Sequence, residues 1–110
     1  MSGVVGFSSG ANWFIGGWGW RTLIERAIED ASSSEDKAEL ESSLYSSGLS
    51  FEHLSRDDRL RIASLLFESA RRVMSRFAQD PGSDEYEQRY VSRLAELIDL
   101  LEAERNAASS

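Results

Sequence analysis

The feature that most constrains this chain is an apolar repeat over residues 55–78. Apolar side chains recur there at intervals of three and four residues, which places them on one stripe of a helix. The stripe consists of Leu60, Ala63, Leu66, Phe67, Ala70, Val73, Met74 and Phe77. Ser55, followed three residues later by Asp58, has the spacing of a capping box and predicts where the helix begins. A helix of about two dozen residues is roughly 36 Å long, so we expect it to be the central element.

Two shorter helices are predicted before this central one. The first covers about residues 20–31, where apolar residues again recur at helical spacing. The second covers about residues 35–46. Ser33 has the capping-box spacing with Asp36, and Gly48 suits a left-handed stop at the end of the second helix.

A fourth helix is predicted after residues 80–82, Asp-Pro-Gly. Proline disfavours a helical conformation in the residue before it, and Ser83 can then cap the next helix. The buried stripe of this helix consists of Tyr86, Tyr90, Val91, Leu94, Leu97, Ile98 and Leu101. Residues 49–55 are expected to form a connector that docks on the helices. The short link between the last two helices makes them antiparallel, so the predicted fold class is all-α, an antiparallel bundle of about four helices.

The uncharged opening segment contains NWFIGGWGW, residues 12–20, with all three tryptophans of the chain. Three structures remain open for it. A hairpin with its turn at Gly16-Gly17 would place Trp13, Ile15, Trp18 and Trp20 on one face. An irregular, flexible arm could instead cover the open end of the bundle, or the tryptophans could stay exposed and bind a partner. We expect a Gly/Trp-rich arm or short hairpin packed on the helices.

The length of 110 residues suits a single domain. We divide it into an arm, a helical bundle and a frayed tail, over residues 1–19, 20–106 and 107–110. The chain has no cysteine, which excludes disulfides, thiolate zinc sites and cysteine nucleophiles. Its apolar stretches are far shorter than the ~20 residues that span a bilayer, and no basic residue precedes Arg21, unlike in a secretory signal. A cytoplasmic protein with no membrane partner is expected.

The net charge of −7 is unevenly distributed. Residues 29–41 carry a local charge of −5, residues 55–79 carry +3, and residues 80–110 carry −5. A nucleic-acid-binding protein normally gathers Lys and Arg on a net basic surface, so nucleic acid is not expected as a partner. Three arginines of the central helix are expected to meet acids of the second or fourth helix, in preference to forming an external anion site. They are Arg71, Arg72 and Arg76.

No group of residues has the pattern of a catalytic or metal site. The single histidine, His53, lies beside Glu52 in the predicted connector and is expected to be a polar loop residue. A metal site needs several converging ligands, and a serine nucleophile needs a base with an oriented partner. Phosphate-binding glycine motifs are also missing from the sequence. We therefore expect no enzyme activity, no cofactor and no metal.

Two acidic clusters favour binding to a basic protein, because opposite charges accelerate association. They are EDASSSEDKAELE (residues 29–41) and DPGSDEYE (residues 80–87). In size, acidity and helicity the chain resembles the small acidic immunity proteins of bacterial toxin systems, including those of contact-dependent inhibition. The resemblance implies a cognate toxin as the partner, for example a basic nuclease, and inhibition by occlusion. The residues expected to bind the partner are Glu35, Asp36, Glu39, Asp84, Glu85, Glu87 and Trp18.

A helical adaptor or self-associating module is the alternative function. The apolar stripe of the fourth helix is wider than one bundle seam requires, and it could form a homodimer face. The residues concerned are Leu97, Ile98, Leu100 and Leu101. Light scattering after size exclusion, at several concentrations, would detect such a dimer.

Overall fold

The computed structural model describes residues 2–79 and 85–109. Within these ranges it contains three strands, four α-helices and one 3₁₀ turn. The strands are β1 (Ser2–Gly6), β2 (Asn12–Gly16) and β3 (Gly48–Ser50). The helices are α1 (Gly17–Asp30), α2 (Ser34–Ser46), α3 (Arg56–Ala78) and α4 (Glu85–Ser109). The 3₁₀ turn, Phe51–His53, follows β3.

A mixed three-stranded sheet makes the predicted all-α fold class wrong. The strand order is β2-β1-β3, with β1 antiparallel to β2 and parallel to β3. Val5 of β1 lies opposite Trp13 on one side and Leu49 on the other, and all three side chains are buried. The strands have only three to five residues and contain glycines, so their alternation is too short to stand out beside the long helical repeats.

The opening segment does form a hairpin, but its turn is not where we considered it. The turn between β1 and β2 covers residues 7–11, and Gly10 there has a φ of 93°, which glycine adopts without strain. Residues 16–17 instead form the junction of β2 with α1. The hairpin with a Gly16-Gly17 turn is therefore wrong, and Trp18 and Trp20 lie in the first turn of α1.

Local capping signals locate two of the helices correctly. The Ser33 side chain accepts a hydrogen bond from the Asp36 backbone N–H at 3.1 Å, and Ser55 accepts one from the Asp58 N–H at 3.2 Å. Both predicted caps are confirmed. Ser83, the predicted cap of the fourth helix, lies outside the described residues.

Helix ends are predicted less well than helix starts. The left-handed stop expected at Gly48 is displaced by one residue, because Ser47 has the positive φ of 59° and Gly48 already begins β3. The predicted connector over residues 49–55 contains most of β3 and the 3₁₀ turn. Helix α4 continues to Ser109, inside the segment for which we expect fraying.

Helix α3 lies at the centre of the fold, as its length and wide apolar stripe predict. Its most extensive contact is with α4, and it also packs against α1. Every described helix and strand supplies at least one buried apolar side chain to the core, among them Trp13, Leu23, Leu66 and Leu97. The two N-terminal strands are joined to this core through Trp13 and Val5.

Two glycines permit close approaches that explain part of the opening sequence. A Cβ atom added at Gly3 would lie 2.0 Å from Cδ2 of the buried Trp20 ring. A Cβ atom at Gly19 would lie 2.8 Å from both the Tyr90 ring and the Ile15 side chain. Aromatic rings therefore lie directly on the backbone at these two positions.

Candidate functional site

A groove of about 270 Å³ opens between the start of α1 and the first turns of α4. We call it the aromatic groove. It is lined by Ile15, Gly16, Gly17, Trp18, Gly19, Tyr86, Arg89, Tyr90 and Arg93. Its two most prominent side chains, Trp18 and Tyr86, are 52% and 73% exposed. Together they form an exposed aromatic patch, and contiguous apolar patches mark interaction sites, whereas single exposed rings do not.

The Trp18 ring is held in place although half of it faces solvent. Its centroid lies 5.1 Å from that of Tyr90 and 5.6 Å from that of Phe77, both in edge-to-face geometry. Phe77 and Tyr90 contact each other at 5.6 Å. Edge-to-face pairs stabilise by about 0.5–1.5 kcal/mol beyond burial, so this three-ring cluster fixes the orientation of Trp18.

Tyr90 connects α4 to the beginning of α1. Its hydroxyl donates a hydrogen bond to the Gly19 carbonyl at 2.7 Å, in a fully buried environment. Burial raises the pKa of Tyr90 well above its ordinary value, because a phenolate would be poorly solvated there. The hydroxyl is therefore a permanent donor, and it fixes the distance between the two walls of the groove.

The two arginines of the groove are also oriented by neighbouring groups. Arg93 donates to the Phe14 carbonyl and pairs with Glu96 at 2.6 Å, while its own carbonyl accepts from Trp13 Nε1 at 2.8 Å. Arg89 pairs with Glu85 at 2.8 Å. Ordered guanidinium groups beside exposed Trp and Tyr rings match the composition of protein-binding hot spots.

The groove brings together several of the predicted partner-binding residues. Trp18 lines it, and Glu85 is exposed at its edge and paired with Arg89. Glu87 is half-buried in the first turn of α4. Asp84 lies outside the described residues. Sequence reasoning placed Tyr86 in the buried stripe of the fourth helix, which is wrong because its side chain is 73% exposed. Its position inside the acidic cluster of residues 80–87 is the signal that could have indicated an exposed ring.

The remaining predicted residues lie on a separate surface, which we call the acidic α2 surface. Glu35, Asp36 and Glu39 line a depression of about 150 Å³ together with Asp58 and Arg61 of α3. Four carboxylates thus surround one guanidinium. Glu35 and Glu39 are exposed and have their carboxylates directed away from the core.

Asp36 is more buried than the other acids that line this surface, and it contributes more to the stability of the fold. It is only 6% exposed, and Arg61 Nη2 lies 2.9 Å from its Oδ1 and 2.8 Å from Asp58 Oδ1. The hydrogen bond to Asp36, followed by that to Asp58, raises the pKa of Arg61. Asp36 therefore connects α2 to α3, and the exposed carboxylates of Glu35 and Glu39 are the ones accessible to a partner.

The aromatic groove and the acidic α2 surface lie near opposite ends of α3. Arg61 marks one surface and Phe77 the other, sixteen residues further along the helix. At a rise of 1.5 Å per residue this separation is about 24 Å. The predicted residues therefore belong to two surfaces, which a single small ligand cannot contact together.

A buried carboxylate that the sequence did not single out joins the two ends of the described chain. Glu104 of α4 is 4% exposed and accepts hydrogen bonds from the Ser8 N–H at 2.9 Å and the Ser8 hydroxyl at 2.7 Å. Arg59 of α3 pairs with it at 2.9 Å. Burial alone would raise the pKa of Glu104, but these hydrogen bonds outweigh burial and lower it. A carboxylate with a lowered pKa is a weak base for Ser8, so the contact is structural.

The arginines of α3 meet acids from three different helices. Arg72 pairs with Asp30 of α1 at 2.9 Å, which makes the expected partner in α2 or α4 wrong for this residue. Asp30 also accepts from the Ser69 hydroxyl at 2.9 Å. Arg71 and Arg76 lie over the rings of Phe67 and Phe77, and neither has an ion pair with an acid of residues 2–79 or 85–109.

The apolar stripe considered as a homodimer face belongs to the core. Leu97 and Leu101 are fully buried, and Ile98 and Leu100 are partly buried against the same cluster. These four side chains leave little apolar surface for a second copy.

The described residues offer no metal site and no membrane span. Within residues 2–79 and 85–109, no three His, Cys, Asp or Glu side chains converge as metal ligands would. In the same part of the chain, every helix is too short or too polar to cross a bilayer.

The fold and the groove define a small α+β protein that presents ordered aromatic rings to solvent. No protein family, curated protein or solved structure matches the chain.

Proposed function

We propose that this protein binds a bacterial toxin stoichiometrically in the cytoplasm and inhibits it by occlusion, with the aromatic groove at the centre of the interface. The observation that carries the proposal is that Trp18 is half exposed although the Tyr90 and Phe77 rings hold it in place, with the exposed Tyr86 beside it in the groove. Burial of such rings at an interface contributes strongly to affinity, because little side-chain entropy remains to be lost.

Charge supports a basic partner for this interface. The net charge is −7, and Glu35 and Glu39 of the acidic α2 surface are exposed without an ion pair to another described residue. An acidic protein attracts a basic one over a distance of about 10 Å at ordinary ionic strength. The acidic α2 surface would thus accelerate association, and the groove would hold the complex together.

The test uses the product of the large reading frame immediately upstream of the gene. Its C-terminal domain is expressed from an inducible promoter, with or without this protein, and growth is recorded. We expect growth arrest that this protein relieves, and a 1:1 complex by light scattering. Undiminished arrest, or an upstream product that is harmless and does not bind, would contradict the proposal.

The groove is then tested with variants of its exposed rings. Trp18→Ala or Tyr86→Ala should weaken the complex by roughly 30-fold or more, since a hot-spot residue contributes about 2 kcal/mol. Tyr45→Ala is the matched control, because Tyr45 is 86% exposed on α2 and outside the groove. Affinities are measured by isothermal titration calorimetry. Equal losses of affinity for Tyr86→Ala and Tyr45→Ala would show that the groove is not part of the interface.

A further inference from the structure

We propose that the second half of α3 carries a binding site for the phosphate groups of a small phosphorylated molecule. The site, which we call the arginine patch, is independent of the proposed toxin binding. It is an open depression of about 450 Å³ lined by Glu68, Arg71, Arg72, Ser75, Arg76 and Gln79. Arg105 of α4 lies next to it, over the ring of Phe67.

The helix geometry places the arginines around a polar centre. Successive residues are rotated by about 100° around an α-helix, so Glu68, Ser75 and Gln79 follow the middle line of the depression, with Glu68 at its N-terminal end. Arg71 lies on one side of them and Arg72 and Arg76 lie on the other. A hydroxyl and an amide between guanidinium groups are suitable hydrogen-bond donors for an anion.

Three of the four arginines in and beside the patch have no ion pair with another described residue. Arg72 pairs with Asp30. Arg71, Arg76 and Arg105 have no ion pair with any carboxylate in the described ranges 2–79 and 85–109. In a protein with a net charge of −7, three such guanidinium groups on one side are unexpected if their only role is to stabilise the fold.

Aromatic rings hold these guanidinium groups in place. Arg71 and Arg105 lie over the same Phe67 ring, with Cζ atoms 5.7 Å and 4.6 Å from its centroid. Arg76 lies over the Phe77 ring at 5.9 Å. The rings attract each cation, but Arg71 and Arg105 still repel each other. A bound anion would relieve this repulsion without any rearrangement of the backbone.

The chemistry of the patch favours phosphate, and its surroundings favour a compact ligand. Planar guanidinium groups bind phosphate oxygens in bidentate geometry, which a single-atom anion cannot use. Glu68 lines one end of the depression, and Asp30 lies beside it in its pair with Arg72. An extended polyanion would meet these carboxylates, whereas a molecule with one or two phosphate groups can lie on the arginine side of the patch.

The experiment is a calorimetric titration of the full chain with inorganic pyrophosphate at low ionic strength, with sodium chloride as the reference salt. The wild type should bind pyrophosphate saturably at one site. The double variant Arg71→Gln/Arg76→Gln should raise the Kd about tenfold or more, since each charge-assisted hydrogen bond contributes more than a neutral one. Because both arginines are exposed and have no ion pair among the described residues, the variant should lose only their cation–π contacts and melt slightly below the wild type.

Arg21→Gln is the matched control. Arg21 is an exposed arginine of α1 that pairs only with Glu25 of its own helix, and its loss should leave the Kd unchanged. The proposal is overturned if the wild type shows no saturable binding, or if Arg21→Gln weakens binding as much as the double variant. If a 20-nucleotide single-stranded DNA binds more tightly than pyrophosphate, the proposal that the ligand is a small phosphorylated molecule is wrong.

Discussion

Gly3 shows how one atom decides the packing of the N-terminal segment. Strand β1 passes directly over the ring of Trp20. A Cβ atom added at Gly3 would lie only 2.0 Å from Cδ2 of this ring. Trp20 is itself 3% exposed and surrounded by core residues. The ring cannot move aside, so the absence of a side chain at Gly3 lets the sheet lie on α1.

Gly3→Ala should therefore destabilise the protein strongly. Overpacking of a rigid site costs about 1–3 kcal/mol, and we expect a loss of about 2 kcal/mol in the free energy of unfolding. Urea unfolding followed by tryptophan fluorescence measures this directly. Gly16→Ala is the control, because nothing lies within 4 Å of a Cβ atom there and its φ is −64°. If both variants unfold at the same urea concentration, close packing does not explain Gly3.

At the level of elements, helices could be predicted from the sequence and strands could not. The signals of a helix lie within its own segment, such as the apolar stripe and the caps Ser33 and Ser55. A strand depends on partners elsewhere in the chain. Val5 needs Leu49, more than forty residues away, to complete the sheet. No local sequence pattern indicates such a pairing. Most of β3 was therefore predicted as part of the connector over residues 49–55.

Helix α2 provides a test of electrostatic steering that leaves the fold intact. Its exposed acids Glu35 and Glu39 have no ion pair among the described residues, in contrast to Asp36. Glu35→Lys/Glu39→Lys should slow association with the proposed toxin partner about tenfold at low salt and reduce the salt dependence of this rate, while dissociation changes little. Stopped-flow fluorescence measures both rates.

The control for this prediction is Asp36→Asn. It removes the contact with Arg61, so it should lower the melting temperature more than it changes the association rate. An association rate that is the same in the double variant and the wild type would exclude the acidic α2 surface from steering.

At the level of the whole molecule, sequence reasoning could identify candidate residues but not their arrangement. Trp18 stood out by composition, and the structure places it in the aromatic groove. Arg89 and Arg93 did not stand out, because arginines at helical spacing from acids are typical of any solvated helix. Nothing in the sequence fixes the separation between the acidic α2 surface and the aromatic groove, which here follows from the length of α3.

The Glu104 contacts make the stability of the whole molecule depend on pH. The pKa of this carboxyl is lower in the folded protein than its ordinary value of 4.5. Its ionised form therefore stabilises the fold above about pH 4.5, and this contribution is lost as the pH falls through the lower, folded-state pKa. Glu104→Gln should reduce the free energy of unfolding at pH 7 by about 2 kcal/mol.

The same variant should differ less and less from the wild type as the pH falls below 4.5. Urea midpoints recorded from pH 7 to pH 3 test this expectation. Glu102→Gln is the control, since Glu102 is an exposed acid of the same helix. A difference between Glu104→Gln and the wild type that is constant over this range would show that the charge of Glu104 is not what stabilises the fold.

The contact between Ser8 and Glu104 spans 96 positions of the chain. A ribosome makes the hairpin of β1 and β2 long before it makes the residue that anchors the turn of this hairpin. Until α4 is synthesised, the nascent hairpin has neither Glu104 nor the α4 surface on which Trp13 and Trp18 rest. The aromatic segment therefore stays uncovered while α1, α2 and α3 are made, and in that interval a chaperone can bind it.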